Sequence, residues 1–555
     1  MSAVPQTFTV KLPAIRNEPM YSYAPGSVER RKLAEAIKEI RDHGPYEVPV
    51  VIDGKPVKTG QLEEQRNPSD HQHVVCRYHN ATDPALVTQA VEGALRAKES
   101  WETLPLYDRL AVMMRAADLL ATKYRYKLMA ATMLGQGKNV WQAEIDAAAE
   151  AVDFLRFNCK FAEEIYAHQP PENSAGSWNH VEYRPLEGFV FAVSPFNFTA
   201  IAANLCGAPA VMGNVVVWKP SPSAILSNYF MYQVFEEAGL PAGVIQFVPG
   251  PAAEMAQQLF ARPDFAGLHF TGSTVVFKGM WKTIAQHIDT YHAYPRIVGE
   301  TGGKNFHLIH STAPVRSTAI QTIRAAFEYQ GQKCSACSRC YAPKSKWPEF
   351  KEHLLTEHGR ITVGPVDDFS HFMTAVINRP SFDKITKFID HARAADDCEI
   401  IAGGTYDDSK GYFIQPTIIV TTNPQTKTMT DEIFGPVLTI LVYDDNDGAT
   451  ESWRKAIDLI NTTGTYGLTG AIFATDRLAI VDATSRLRHT AGNFYINDKC
   501  TGAVVGQQSF GGARNSGTND KAGSANLLYR FVSPRSVKET FVPVEDLFYP
   551  HNVKD

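Results

Sequence analysis

A chain of 555 residues exceeds what one hydrophobic core ordinarily supports, so two or three packed units are expected. Its 54 basic and 59 acidic residues give a formal charge of -5 with no long block of either sign, which argues against a nucleic-acid or anionic-membrane partner and leaves a small molecule as substrate. No stretch reaches the roughly twenty apolar residues of a membrane span, and eight cysteines, three of them crowded together, make no disulfide framework, which points to a reducing compartment.

The opening MSAVPQTFTVKLPAI lacks acidic groups but also lacks the arginines and amphipathic pattern of a transit peptide, so no targeting segment is legible. Gly26-Ser27 precedes a periodic helical run from Val28 to about Asp42, and Val50 to Ile52 reads as a short strand ending at the turn pair Asp53-Gly54; together they predict an N-terminal arm. Asp83-Pro84 is an N-cap followed by proline at the first helical position, with Val87, Ala90, Val91 and Ala94 recurring at helical spacing. Further helix is expected over Asp108 to Thr122 and from about Gln142 to Tyr166, packed on a sheet whose strands come later. From residue 187 the rhythm becomes short apolar runs at helix-length spacing: Phe189 to Val193, Val215 to Trp218, Val244 to Val248 and Leu268 to Phe270. Runs apolar on both faces predict a parallel β-α-β sheet that binds a nucleotide at its carboxyl edge, although no G-x-G-x-x-G fingerprint is present. A second α/β unit follows Gly302-Gly303, with strands at Thr417 to Val420 and Val437 to Val442. Ser174 to Arg184 and Leu527 to Phe541 alternate apolar and polar residues and are expected to pair as a protruding sheet that joins subunits.

The stretch from Phe327 to Cys340, FEYQGQKCSACSRC, carries the candidate chemistry. Cys334 lies among small and polar residues just after Gly331, a setting for attack rather than packing. The C-x2-C-x2-C spacing leaves zinc or iron–sulfur ligation as an alternative, without a nearby fourth ligand or the Cys-Pro that completes a ferredoxin run. Ordinary buried cysteines are the other alternative. The reading adopted assigns no metal.

SPFNFT (194–199), WKPS (218–221), FTGS (270–273), GETGGKN (299–305), GQKC (331–334), EIFGPV (432–437) and FGGARNSG (510–517) stand in the order that marks the aldehyde dehydrogenase superfamily. The chain resembles that superfamily, and over nearly its whole length the branch that oxidises glutamate γ-semialdehyde to glutamate with NAD in proline breakdown. The resemblance implies an α/β fold with a Rossmann-like cofactor domain, an α/β catalytic domain and a small β oligomerisation flap. The corresponding boundaries are 1–172 (arm and first part of the cofactor domain), 173–186 (flap strand), 187–301 (rest of the cofactor domain), 302–524 (catalytic domain) and 525–555 (C-terminal flap segment and tail).

It further implies Cys334 as nucleophile, Asn197 as oxyanion donor with the Cys334 N–H, and Glu300 as the base for the deacylating water. Ser194, Lys219, Gly272, Ser273, Glu432 and Phe434 are implied for NAD, Ser273 at a helix N-terminus suited to pyrophosphate. Pro222 stands where many NAD-preferring relatives carry a glutamate, which leaves NADP tolerance open. For the substrate, Ser335 and the loop Thr501-Gly502-Ala503 are implied to hold the α-carboxylate, with Phe198 and Phe510 walling the aliphatic part. Cys337 and Cys340 are read as non-catalytic neighbours able to form a disulfide with Cys334. A homodimer, the mitochondrial matrix in a eukaryote (the cytoplasm in a bacterium) and a proline dehydrogenase on a separate chain complete the expectations. The competing readings are another semialdehyde or aliphatic aldehyde dehydrogenase, and a binding protein without turnover.

Overall fold

The computed structural model describes residues 11–446 and 449–552. Its first seven-stranded sheet runs in the order Arg296–Glu300, Phe265–Thr271, Phe189–Val193, Val215–Lys219, Ile245–Phe247, Val50–Ile52, Lys55–Val57. The first five strands are parallel, as runs buried on both faces demand. Val50–Ile52, expected as part of an arm, closes the sheet instead, antiparallel to Ile245–Phe247 and in a hairpin with Lys55–Val57. The chain starts in the middle at Phe189–Val193, moves outward through two strands, then returns to the other side at Phe265–Thr271. The carboxyl ends of those two strands therefore flank a topological switch point, where this architecture opens a ligand crevice.

The helix Pro84–Trp101 covers this sheet. The Asp83 side chain accepts from the Ala85 N–H (2.9 Å), and Val87, Ala90, Val91 and Ala94 are buried against Val50, Ile52, Phe189 and Val215. Each buried valine contributes about 1.5–3 kcal/mol, so the helix owes its place to this stripe more than to its cap. The long helix expected from Gln142 to Tyr166 is broken in three: an α-turn Val140–Ala143, a π-turn Glu144–Glu150 and the helix Ala151–Ala167. The wide turn brings Asp146 fully indoors, where its carboxylate receives the N–H groups of Thr199 (3.0 Å) and Ala200 (2.7 Å) and the Lys138 ammonium (2.8 Å). The helix Thr199–Val211 has no side-chain cap from its own preceding residue, so Asp146 satisfies its first donors from elsewhere in the chain.

The second seven-stranded sheet runs Cys398–Ala402, Thr417–Thr421, Val437–Tyr443, Cys337–Pro343, Asn305–Ile309, Thr469–Phe473, Asn493–Ile496, with only the Cys398–Ala402 edge antiparallel. Ser177–Pro185 and Val532–Thr540 pair antiparallel over nine residues as a separate ribbon. No helix among the described residues is long and apolar enough to cross a membrane.

Candidate active site

Cys334 follows a tight turn, Glu328–Gly331, in which three successive residues are left-handed: Tyr329 (φ 52°), Gln330 (56°) and Gly331 (66°). Such a conformation costs a non-glycine residue about 1–3 kcal/mol and persists only where the surroundings enforce it. Here the Tyr329 hydroxyl donates to Gln136 O (2.8 Å), and the Gln330 amide donates to Gly137 O (2.9 Å), Ala375 O (2.9 Å) and Thr374 Oγ1 (2.7 Å). Gly331 permits a close approach, since a Cβ there would stand 2.2 Å from Gly435 O. On the other side, Asn305 Nδ2 donates to Cys334 O (2.6 Å) and Ala336 O (2.8 Å), and Gly303 lies so near that a Cβ would stand 2.2 Å from Cys334 O. The GGKN stretch and the cysteine turn are thus fitted backbone to backbone.

Cys334 is mostly buried and lines a cavity of about 110 Å³ together with Glu300, which ends the strand Arg296–Glu300. Burial pushes the Cys334 thiol up, and the Glu300 and Glu432 carboxylates push it the same way. Burial also raises the Glu300 carboxyl well above its ordinary range, against the Gly512 N–H (3.3 Å) and Lys521. The Asn197 amide is buried and donates to Gln332 O (3.1 Å), two residues before the thiol. A thiol, a base-capable carboxyl and an amide held at the thiol's own loop are the parts required to add to a carbonyl and later hydrolyse a thioester.

The same cavity holds Phe198, Phe510, Ser335, Gly502 and Ala503. Ser335 and Thr501 share a hydroxyl–hydroxyl hydrogen bond (2.7 Å), and Gly502 is left-handed at φ +101°. Phe198 carries the Lys138 ammonium 3.6 Å from its ring centre. Charged groups that sequence reasoning passed over also line it: Glu150, Glu328, Lys333 and Lys499. Glu328 accepts from Lys333 (3.0 Å) and Lys499 (3.4 Å); burial alone would raise its carboxyl, but the two lysines outweigh it and hold it low. Glu150 is pushed up to about 8 by burial, with the Asp146 carboxylate acting the same way. Glu328 and Lys333 stand inside the cysteine stretch itself, and their five-residue spacing across a turn was the available signal.

Of the residues implied for the dinucleotide, Gly272 and Ser273 directly follow the strand Phe265–Thr271 at the switch point. Ser273 caps the helix Thr274–Gln286, its hydroxyl accepting from the Val276 N–H (3.3 Å), and beside this exposed helix start Val275 and Val276 offer apolar surface. Gly272 precedes it, its N–H donating to Glu300 O (3.2 Å). Lys219 ends its strand buried and is lowered to about 8 by burial against the pull of Glu63. Glu432 accepts from the Gly303 N–H (2.7 Å), and Phe434, left-handed at φ 59°, packs edge-on against Phe196. Ser194 is different: its hydroxyl is held in the core by the Trp218 indole N–H (2.9 Å) and the Asn228 amide (3.4 Å). A phosphate-ready helix start, a buried lysine and a carboxylate beside glycines fit a dinucleotide laid along this edge.

The three crowded cysteines part company. Cys334 faces the cavity, whereas Cys337 and Cys340 are buried in the strand Cys337–Pro343. Cys337, Cys500 and His307 place ligand-type atoms within 4.8 Å of one another. His307 Nδ1 faces Thr322 Oγ1 (2.9 Å), whose own proton goes to Thr318 O (2.8 Å), and Nε2 accepts from the Cys500 N–H (3.2 Å). Both ring nitrogens are thus engaged within the core.

A strained thiol turn, a carboxyl across a shared cavity and a phosphate-ready helix start define the class: the chain belongs to the aldehyde dehydrogenase family, whose profile matches residues 57–537. It is 56% identical over 552 residues to the delta-1-pyrroline-5-carboxylate dehydrogenase of Agaricus bisporus, covering 99% of this chain and 100% of that one. It is also 56% identical over 547 residues to the mitochondrial delta-1-pyrroline-5-carboxylate dehydrogenase of Emericella nidulans, covering 98% and 95% of the two chains. The crystal structure of the delta-pyrroline-5-carboxylate dehydrogenase from Mycobacterium tuberculosis bound with NAD superposes with a TM-score of 0.94 at 46% identity, over 99% of this chain and all of that one.

Proposed function

We propose that this protein oxidises glutamate γ-semialdehyde, the open form of pyrroline-5-carboxylate, to glutamate. The observation that carries the reading is one cavity lined by Cys334 and Glu300 together with the hydrogen-bonded Ser335–Thr501 pair and left-handed Gly502. Cys334 adds to the aldehyde carbonyl, and the Asn197 amide with the Cys334 N–H stabilises the resulting oxyanion. NAD, when bound, supplies the two-electron acceptor. Ser273 and the start of its helix hold the pyrophosphate, Lys219 the adenosine end, and Glu432 and Phe434 the nicotinamide end. Glu300 then takes a proton from the water that releases the acyl group from Cys334. At the remote end the Ser335 hydroxyl and the backbone of Gly502 and Ala503 receive the α-carboxylate, while the carbonyl oxygen of the Glu150 carboxyl offers an acceptor to the α-ammonium. Phe198 and Phe510 flank the chain between.

The names of the relatives support a place in the mitochondrial matrix, and the exposed edges of the ribbon Ser177–Pro185/Val532–Thr540 support its use in joining two copies.

NAD reduction by the purified protein, with pyrroline-5-carboxylate, succinic semialdehyde and propanal in parallel, tests the reading. Strong preference for the first, abolished in Cys334→Ala, is the expected result. Comparable rates on all three overturn the substrate assignment and leave the chemistry.

A further inference from the structure

We propose that Asn17, in the N-terminal arm, is a positioning residue for the loop that receives the substrate carboxylate, an inference that rests on the function proposed above. Its amide Nδ2 donates to Val505 O and to Asp153 Oδ2, both at 2.7 Å, and its Oδ1 accepts from Gln507 Nε2 at 3.0 Å. Among the described residues, every hydrogen bond that ties 502–508 to another segment is one of those to Asn17; the others, Gln507 N–H and Gln508 N–H to Val504 O, stay within the loop. Hydrogen bonds also hold the residues that flank the loop, from Ser335 to Thr501 (2.7 Å) and from Asn493 to Ser509 O (2.8 Å).

The arm is a strut rather than a loose strand. The Glu18 N–H donates to Asp153 Oδ1 (2.7 Å), and its carboxylate pairs with Arg125 and Arg156, each at 2.7 Å. Asp153 precedes Phe154, which lines the cavity as Val505 and Gln508 do. Gly506 lies flush on the same helix, where a Cβ would stand 2.3 Å from the Phe157 ring. Asn17 therefore ties the middle of the carboxylate loop, 488 residues along the chain from it, to the helix Ala151–Ala167. An aldehyde without a carboxylate makes no use of that loop.

Steady-state kinetics of Asn17→Ala on pyrroline-5-carboxylate and on propanal, with amide exchange followed by mass spectrometry, tests this. A rise in KM for pyrroline-5-carboxylate of about ten-fold is expected from the lost bonds, with kcat and the propanal constants within about two-fold of the parent. Exchange at Gln507 and Gln508 should quicken while the helix Ala151–Ala167 keeps its protection. Gln507→Ala, which removes one bond and leaves the arm otherwise intact, should shift KM in the same direction by less. Equal losses on both substrates, unchanged exchange in the loop, or protection lost throughout the domain in Asn17→Ala with no KM shift in Gln507→Ala would overturn the proposal. A parent enzyme without preference for pyrroline-5-carboxylate would defeat the functional reading instead, and the exchange data alone would then decide the role of Asn17.

Discussion

At the scale of single residues, burial sets the proton chemistry. As the proposed base, Glu300 acts only when ionised, and its raised pKa means that the carboxylate is lost on acidification at a pH above the ordinary carboxylate range. The profile of kcat against pH should therefore fall on the acid side at a pH well above that range. Glu300→Gln should lower kcat about 100- to 10,000-fold and leave a burst of NADH of one equivalent per site in stopped flow, because acylation survives while deacylation does not. Glu150 affects stability instead. Folded, it holds its proton up to about pH 8, against an ordinary 4.5. The folded state thus binds more protons than the unfolded one across that window, so the charge of Glu150 costs progressively more stability as pH rises through it. Glu150→Gln should raise Tm more at pH 8 than at about pH 5, which calorimetry at the two values would show. Neither shift was legible in sequence. Cys334, Asn197 and Glu300 were, because their neighbours Gly331, Phe196 and Gly299-Gly302-Gly303 form order-preserving motifs, but the depth at which a carboxyl sits depends on what packs over it.

At the scale of elements, the π-turn Glu144–Glu150 shows where sequence reading stops. The strands Phe189–Val193 and Val215–Lys219 announced themselves as runs apolar on both faces, and Asp83-Pro84 announced a helix start. The π-turn lay inside a continuous helical pattern, and the groups it serves are remote in sequence: Asp146 supplies the helix Thr199–Val211 with the cap that Phe198 lacks. The pairing of Asp146 with Lys138 is fully buried, so removing one partner strands a charge in the core. Asp146→Ala should cost about 3–5 kcal/mol in urea unfolding, and adding Lys138→Met should recover part of that loss but not the share due to the cap. Equal loss in the single and double variants would show that capping alone matters.

At the scale of the whole molecule, the outer surface carries an apolar run at its C-terminal end: Phe541, Val542, Val544, Leu547, Phe548 and Tyr549 are 62–87% exposed, directly after the ribbon strand. If ribbon and tail join two copies, sedimentation should give about twice the chain mass of 61.4 kDa, and Leu547→Glu with Phe548→Glu should shift it toward one chain. The pairing of Ser177–Pro185 with Val532–Thr540 was legible from alternation, whereas the seat of Val50–Ile52 beside Ile245–Phe247 was not, since a three-residue strand carries no mark of its partner. The left-handed turn before Cys334 was equally hidden, because tyrosine and glutamine do not signal such a backbone. That turn also fixes an order of events in time. Its shape is enforced by Gln136 and Gly137 from one direction and Thr374 and Ala375 from another, segments 237 residues apart in sequence. On dilution from denaturant, helices and strands form before such remote contacts close. Recovery of activity should accordingly lag behind recovery of far-ultraviolet dichroism, so that the enzyme passes through a state that looks folded and does not work.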